Sequence, residues 1–360
     1  MVIILSVLAS LVAGTYLFMQ QAVFGENPSG KSLERILQSP HYQNGSFQNA
    51  IETPMYPPDI SYWAMTKHLL FKPKDVKPAK ALPFAKTNLN TLQAEKPTIV
   101  WFGHSSYLIK SKDFVVLIDP VFSGQASPVS FFGKAFDGAD TYKSEDMPEI
   151  DMLIISHDHY DHLDYKTMLK LAPKVKHFYT SLGVGSHLER WGVDAKKITE
   201  LDWWQAQTIS PDIALTATPA RHFSGRGFTR GKSFWSSFVL NLHGYQLFLG
   251  ADSGEGEHFT EIAQKFGSFD IAFLENGQYA PEWPYIHTFP EQTSKIAKQL
   301  NAKVLMPVHW AKFELSYHSW NDPIKRLVKA AQADSVSLCT PIIGQPVTLG
   351  GAYPTKVWWE

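Results

Sequence analysis

Residues 157–164 read HDHYDHLD, so three histidines and three aspartates fall within eight positions. His157, His159, Asp161 and His162 make the pattern H-x-H-x-D-H. Imidazole and carboxylate are donors that suit zinc, iron or manganese. The single cysteine, Cys339, leaves no thiolate set for a closed structural zinc site. As alternate residues leaving a strand, His157 and His159 can face one cation; Asp161 and His162, past the turn, can face a second. The same local grammar recurs. ALTATPARH ends a strand-like run at His222, LFLGAD ends one at Asp252, and VLMPVH ends one at His309. Ligand sites in α/β folds gather where strand ends meet loops. Seven nitrogen or oxygen donors would then converge, enough for two divalent cations and a bridging water. Cations about 3.5–4 Å apart lower the pKa of a shared water, giving hydroxide at neutral pH, and neutralise charge that grows on phosphoryl oxygens. No serine or cysteine nucleophile is needed.

Positioning these donors requires strands that end together. DMLIIS predicts a buried strand ahead of the histidine run, and DYKTMLKLA after it has helical spacing. TIVWFG, SYLIK, FVVLIDP, IALTATPA, FVLNLHG, YQLFLGADS, DIAFLEN and KVLMPVH read as further strands. PEQTSKIAKQL and DPIKRLVKAAQA read as helices entered through Pro or Asp. The 360 residues suffice for one large α/β domain with an appendage, and no repeat is visible. A formal net charge of −1 and the lack of a basic module exclude nucleic acid as the expected partner.

Val2 to Met19 carries no charged side chain, and none appears before Glu26. As a helix this run spans roughly 27 Å, close to a bilayer's hydrocarbon core. No basic n-region precedes it and no small-x-small site follows, so residues 1–25 are expected to be an uncleaved single-pass transmembrane anchor. Lys31 and Arg35 behind it lean towards a membrane-anchored protein with a cytoplasmic body. Ser32 to Gln38 suggests a short helix. KPKDVKPAKALPFAK reads as a solvated linker, or else as a basic collar for anionic lipid.

The order HDHYDH, PARHFSGRG, GADSG and PVHW resembles the metallo-β-lactamase fold superfamily. GHSSYLI and IDPVFSGQASP narrow the resemblance to the branch of N-acyl-phosphatidylethanolamine phospholipase D and its bacterial relatives. It spans roughly Ser39 to Trp310, HYQNGSFQN included. The fold it implies is α/β: a four-layer αββα sandwich with the site at one edge, here carrying an N-terminal hydrophobic helix and an irregular extension. Residues 26–95 would be extension and linker, and 96–360 the metallo-hydrolase domain.

The resemblance also implies two divalent metal ions, usually zinc, sometimes iron or manganese. His157, His159 and His222 would hold the first, and Asp161, His162 and His309 the second, with Asp252 bridging. The implied activity is hydrolysis of a phosphodiester by a metal-bridging hydroxide, in a phospholipid such as N-acyl-phosphatidylethanolamine. Asp161 or Asp252 would orient the water or accept its proton. Alternatives are a soluble ester, lactone or phosphodiester on the same site, or a non-catalytic metal-binding sensor or scaffold. Against the last stands the full set of seven donors. A homodimer is implied by the resemblance alone.

One segment departs from the family. Where the phospholipase has a Gly-Ala-Tyr turn, this chain reads NGQYAPEWPYIHTFPEQT. His287 still precedes the Pro-Glu helix start and is read as a substrate or leaving-group contact. Around the ligands, His104 is expected to stand behind them and Asp119 to brace the DP turn. Glu275 is open between backing the site and pairing with a cation. Arg221 is open between a carboxylate partner and a phosphate.

Overall fold

Short runs rich in Val, Ile, Leu and Phe pair into two mixed β-sheets, and helices cover both outer faces. The computed structural model describes residues 2–360. A small ladder of β1 (Tyr42–Gln43) and β2 (Ser46–Phe47) precedes them. The first sheet is ordered β15 (Pro346–Thr348), β3 (Thr98–Trp101), β4 (Tyr107–Ser111), β5 (Phe114–Ile118), β6 (Ile150–Ile155), β7 (Val175–Ser181) and β8 (Ile198–Leu201). The second is ordered β14 (Leu305–Val308), β13 (Ile271–Glu275), β12 (Tyr245–Leu249), β11 (Ser237–Leu242), β10 (Ile213–Thr218) and β9 (Ala206–Ser210).

The helices are α1 (Val2–Met19), α2 (Gly30–Ile36), α3 (Tyr62–Leu70), α4 (Tyr165–Leu171), α5 (Gly185–Arg190), α6 (His258–Phe266), α7 (Pro290–Gln299) and α8 (Asp322–Asp334). Along β6, Met152 and Ile154 join the core shared by both sheets, whereas Leu153 and Ile155 pack with Met168 and Leu171 of α4 and Leu188 of α5. Burying each such side chain stabilises the fold by about 1.5–3 kcal/mol. Tyr107 of β4 stacks on Phe273 of β13, with ring centroids 4.3 Å apart and planes 9° apart, which ties sheet to sheet. Such a pair contributes about 0.5–1.5 kcal/mol beyond its buried area. Phe259, Ile262, Ile296, Leu300, Ile324 and Leu327 bring α6, α7 and α8 onto the second sheet.

Strand direction places the site. β5 to β8 are parallel, and β4 runs against β5, so the β3–β4 turn lies beside the C-terminal ends of β5 and β6. In the second sheet β11 runs against β10 and β12, while β12, β13 and β14 are parallel. The ends of β10, β12, β13 and β14 therefore share one edge. In the two large sheets the sequence reading missed β7, β8, β9 and β15. β9 is exposed at its first three positions, so no apolar alternation marks it.

One expectation about the first 95 residues changes. Among the described residues no helix is long and apolar enough to cross a membrane. The transmembrane anchor, the membrane contact through it and the membrane-anchored localisation with a cytoplasmic lean are thereby corrected. Residue 1 of the expected anchor lies outside the described residues. α1 ends at Met19, and the chain then turns onto the protein body. Arg190 donates to Gln20 O at 3.0 Å and Trp191 to Ala22 O at 2.7 Å. The lysine-rich run lies mostly exposed along the body. Lys72 and Lys77 pair with Glu314, Lys86 pairs with Asp146, and Leu82 is buried.

Candidate metal centre

Six strand ends and one turn meet at the shared edge. β5 delivers Asp119, β6 the 157–162 loop, β10 His222, β12 Asp252, β13 Glu275 and β14 His309; the β3–β4 turn delivers His104. Three of these residues have left-handed backbones: His104 (φ 52°), Asp119 (φ 40°) and His309 (φ 64°). Each such conformation costs on the order of 1–3 kcal/mol and persists only where neighbours over-determine it. Here His309 N donates to His104 O at 3.0 Å, and His104 N donates to Trp310 O at 2.8 Å.

The seven donors singled out in the sequence come together in two clusters. In the first, His159 Nδ1 lies 2.9 Å from His157 Nε2 and 3.2 Å from His222 Nε2. Asp252 Oδ2 is 3.9 Å from His157 Nε2 and 3.7 Å from His222 Nε2. In the second, Asp161 Oδ2 is 3.5 Å from His162 Nε2, 3.4 Å from His309 Nε2 and 2.9 Å from His104 Nε2. Asp252 also faces this cluster, with Oδ1 3.2 Å from His162 Nε2 and Oδ2 3.1 Å from His309 Nε2. In each cluster four donor atoms lie within 4.8 Å of one another.

The outward ring atoms test whether these residues fit a metal. His157 Nδ1 sits 2.9 Å from Ser156 Oγ, and His162 Nδ1 sits 2.8 Å from Asp119 Oδ2. His222 Nδ1 reaches Ile286 O at 2.9 Å, and His309 Nδ1 reaches Gly277 O at 3.4 Å. Carbonyl and carboxylate partners hold the proton on the outward nitrogen and turn the other nitrogen's lone pair inward. Inside, His162 Nε2 and Asp252 Oδ1 are both buried without a hydrogen-bond partner although they face each other. A buried acceptor lacking a donor costs about 1–3 kcal/mol. Divalent cations would satisfy such a set, so the donors fit.

Electrostatics distinguish the clusters. Burial lowers the pKa of His157 and His222 well below the usual imidazole range, and lowers that of His159. In the second cluster burial acts the same way but loses to nearby carboxylates. Asp252 and Asp161 lift His309 to about 10, and Asp252, Asp161 and Asp119 lift His162 well above its ordinary value. His104, buried and beside His309, drops to about 3. Burial pushes the Asp252 carboxyl up, yet the His162 and His309 charges hold it well below the usual range.

Several supporting residues come from far along the chain. Asn49 brackets His222, accepting from its N–H at 3.0 Å and donating to its carbonyl at 2.8 Å. Asp119 accepts from Ser156 N at 2.8 Å and Ser156 Oγ at 2.6 Å, beyond the DP turn it was expected to brace. Arg221 pairs with no carboxylate among the described residues; it donates to Thr53 Oγ1 and Glu255 O. Glu275 Oε2 holds His287 Nδ1 at 2.7 Å, so it pairs within the site.

His159, Asp161, His222, Asp252, His287 and His309 line one cavity of about 250 Å3, walled by Met55, Phe223, Trp283, Ile286 and Leu315. A larger groove of about 730 Å3 beside α2 and α5 holds none of the seven donors, so chemistry rather than volume identifies the site. Arg226 was missed altogether. It stood in the PARHFSGRG stretch, but nothing local marks an arginine as buried.

Residues 115–310 match the model of the beta-lactamase superfamily domain. An uncharacterized protein of Mycobacterium tuberculosis is 34% identical over 98% of this chain and 96% of its own length. N-acyl-phosphatidylethanolamine-hydrolyzing phospholipase D 1 of Caenorhabditis elegans is 28% identical over 64% of this chain and 70% of its own. Among solved structures, Igni18, a metallo hydrolase from Ignicoccus hospitalis, shares the fold with a TM-score of 0.54 at 18% identity, covering 71% of this chain and all of that one. The fold, the edge site and these likenesses agree, and the chain belongs to the beta-lactamase superfamily as a metallo-hydrolase of the branch similar to N-acyl-phosphatidylethanolamine phospholipase D.

Proposed function

We propose that the protein hydrolyses a phosphodiester, in a phospholipid such as an N-acyl-phosphatidylethanolamine, at a dinuclear centre. The observation that carries this reading is Asp252, whose two oxygens face both donor clusters on the floor of the cavity. His157, His159 and His222 would hold one divalent ion, and Asp161, His162 and His309 the other, with Asp252 shared. Zinc suits this all-nitrogen-and-oxygen set, as do iron and manganese. When bound, such ions supply Lewis acidity towards a phosphoryl oxygen and lower the pKa of water.

The remaining work falls to side chains. Asp161 is held through Oδ2 by His104 and lines the cavity, so it can orient the attacking water and take its proton. As that oxygen bonds to phosphorus, the bond to the leaving alcohol breaks on the opposite side. His287 keeps Nδ1 on Glu275 and lines the cavity, so its Nε2 can carry a proton to the leaving oxygen. The products are phosphatidic acid and an N-acylated ethanolamine. Met55, Phe223, Trp283 and Ile286 give the cavity an apolar wall that suits a lipid. On this reading residues 96–360 form the hydrolase domain, and the 26–95 stretch completes it through Asn49, Thr53 and Met55.

The test is release of phosphatidic acid, followed by mass, from N-acyl-phosphatidylethanolamine in mixed micelles by the zinc-loaded full chain. Release abolished in His157→Ala and Asp252→Asn is expected. No release from a preparation that holds about two ions per chain would sink the lipid assignment and move the search to soluble esters, lactones and phosphodiesters.

A further inference from the structure

Arg226 is 5% exposed, yet no carboxylate pairs with it among the described residues. Its donors go to backbone carbonyls instead. Nη1 donates to Asp158 O and to Leu163 O, both at 2.7 Å, and Nη2 donates to Val23 O at 2.8 Å. Asp158 lies between His157 and His159, and Leu163 follows His162. One guanidinium nitrogen thus spans the whole H-x-H-x-D-H loop, gripping it at both ends.

The grip is mutual. The Tyr160 ring, at the centre of that loop, lies under the guanidinium at 4.0 Å, and its hydroxyl donates to Arg226 O at 2.6 Å. Trp191 flanks the guanidinium at 5.3 Å. The Asp158 side chain adds a second anchor, accepting from Gly225 N at 2.7 Å and Ser233 Oγ at 2.8 Å. The segment after α1 is part of the same structure, since it supplies Val23 O to Arg226 and Glu26 N to His187 Nδ1 at 3.0 Å.

We propose that Arg226, clasped by Tyr160 and by the Val23 carbonyl, is a positioning residue that sets the spacing between the two halves of the metal-binding loop, and hence the affinity and geometry of both metal positions. A guanidinium suits this task because its planar fork reaches several carbonyls at once, where a lysine ammonium is a point donor on a flexible stem. The inference rests on the dinuclear reading above but concerns metal binding, not substrate.

The experiment compares the full-length wild type with Arg226→Met, Arg226→Lys, Tyr160→Phe and the Arg226→Lys/Tyr160→Phe double variant. Zinc affinity is read by competition with a chromophoric chelator, metal geometry by the visible spectrum of the cobalt-substituted protein, and folding by the Tm of the metal-free form. Loss of a partner one layer behind the ligands weakens metal binding by about 10–100-fold, and Arg226→Met is expected in that range with an altered cobalt spectrum. Arg226→Lys should recover part of the affinity. Tyr160→Phe, which loses the hydroxyl's bond to Arg226 O but keeps the ring, should cost less, and should combine non-additively with Arg226→Lys because the two residues are in contact. If Arg226→Met fails to fold, the lysine and phenylalanine variants decide. Folded variants with wild-type zinc affinity and an unchanged cobalt spectrum would overturn the proposal, even if their Tm falls, because that pattern marks a purely structural arginine. Failure of the wild type itself to bind zinc would instead remove the dinuclear reading.

Discussion

The two donor clusters are built from similar parts and differ in charge. The first gathers three imidazoles around one carboxylate, and burial keeps those imidazoles neutral. The second sets His162 and His309 among Asp161, Asp252 and Asp119, and the carboxylates raise both histidines despite burial. A neutral imidazole is ready to bind a cation, whereas a protonated one must first release its proton. On the proposed assignment the first cluster would take a cation with little proton release, and the second would couple metal binding to proton release.

The strongest way to break this contrast is to remove the residue both clusters share. Asp252→Asn should lower metal content at both positions and cut activity by more than about 100-fold, the upper end of what loss of an outer partner costs. Metal analysis and turnover on the same sample check it. Loss confined to one position would show that Asp252 serves a single cluster. Next, His104→Ala should weaken only the second position, by about 10–100-fold, because its Nε2 holds Asp161. Stepwise zinc titration separates the positions, and equal weakening at both would contradict the division.

Proton linkage sharpens it further. Calorimetric zinc titrations at pH 7 in buffers of different ionisation enthalpy should show protons released with the second equivalent and few with the first. The same groups give a sign for stability in the metal-free protein. The folded pKa of His309, about 10, lies above its ordinary 6.5. Its stabilising contribution is full below about pH 6.5 and is lost as pH rises towards 10. Denaturant midpoints of the chelated protein should accordingly fall across that window, and zinc-loaded protein should lack the trend.

The smallest expected effect is Asn49→Ala. It strips two hydrogen bonds from the His222 backbone and should cost about 1–3 kcal/mol of stability, with a modest change in affinity at the first position only.

Much of the site was legible because metal chemistry restricts donor types and because strand-to-loop boundaries are local patterns. His157, His159, His222, Asp252 and His309 each follow an apolar run, and the structure sets all five at one edge. The supporting residues were harder to read. Asn49 lies 173 residues from His222 in the chain, and Arg226 lies 68 from Asp158, so no spacing rule links either pair. β9 escaped notice for a similar reason, since an edge strand with an exposed face carries no alternation. α1 shows the opposite failure. Its local pattern was apolar enough to suggest a span, yet among the described residues no helix is long and apolar enough to cross a membrane, and the residues after it bond to Arg190 and Trp191 of the body.

The sequence by itself determined the α/β alternation, membership of the superfamily and the local clustering of imidazole and carboxylate donors, all of which depend on residue type and short-range order. Only the tertiary structure decided which histidines sit among carboxylates and which buried cation grips the histidine-rich loop. Those outcomes depend on distances between groups far apart in the chain, and both Coulomb energies and hydrogen bonds are functions of distance.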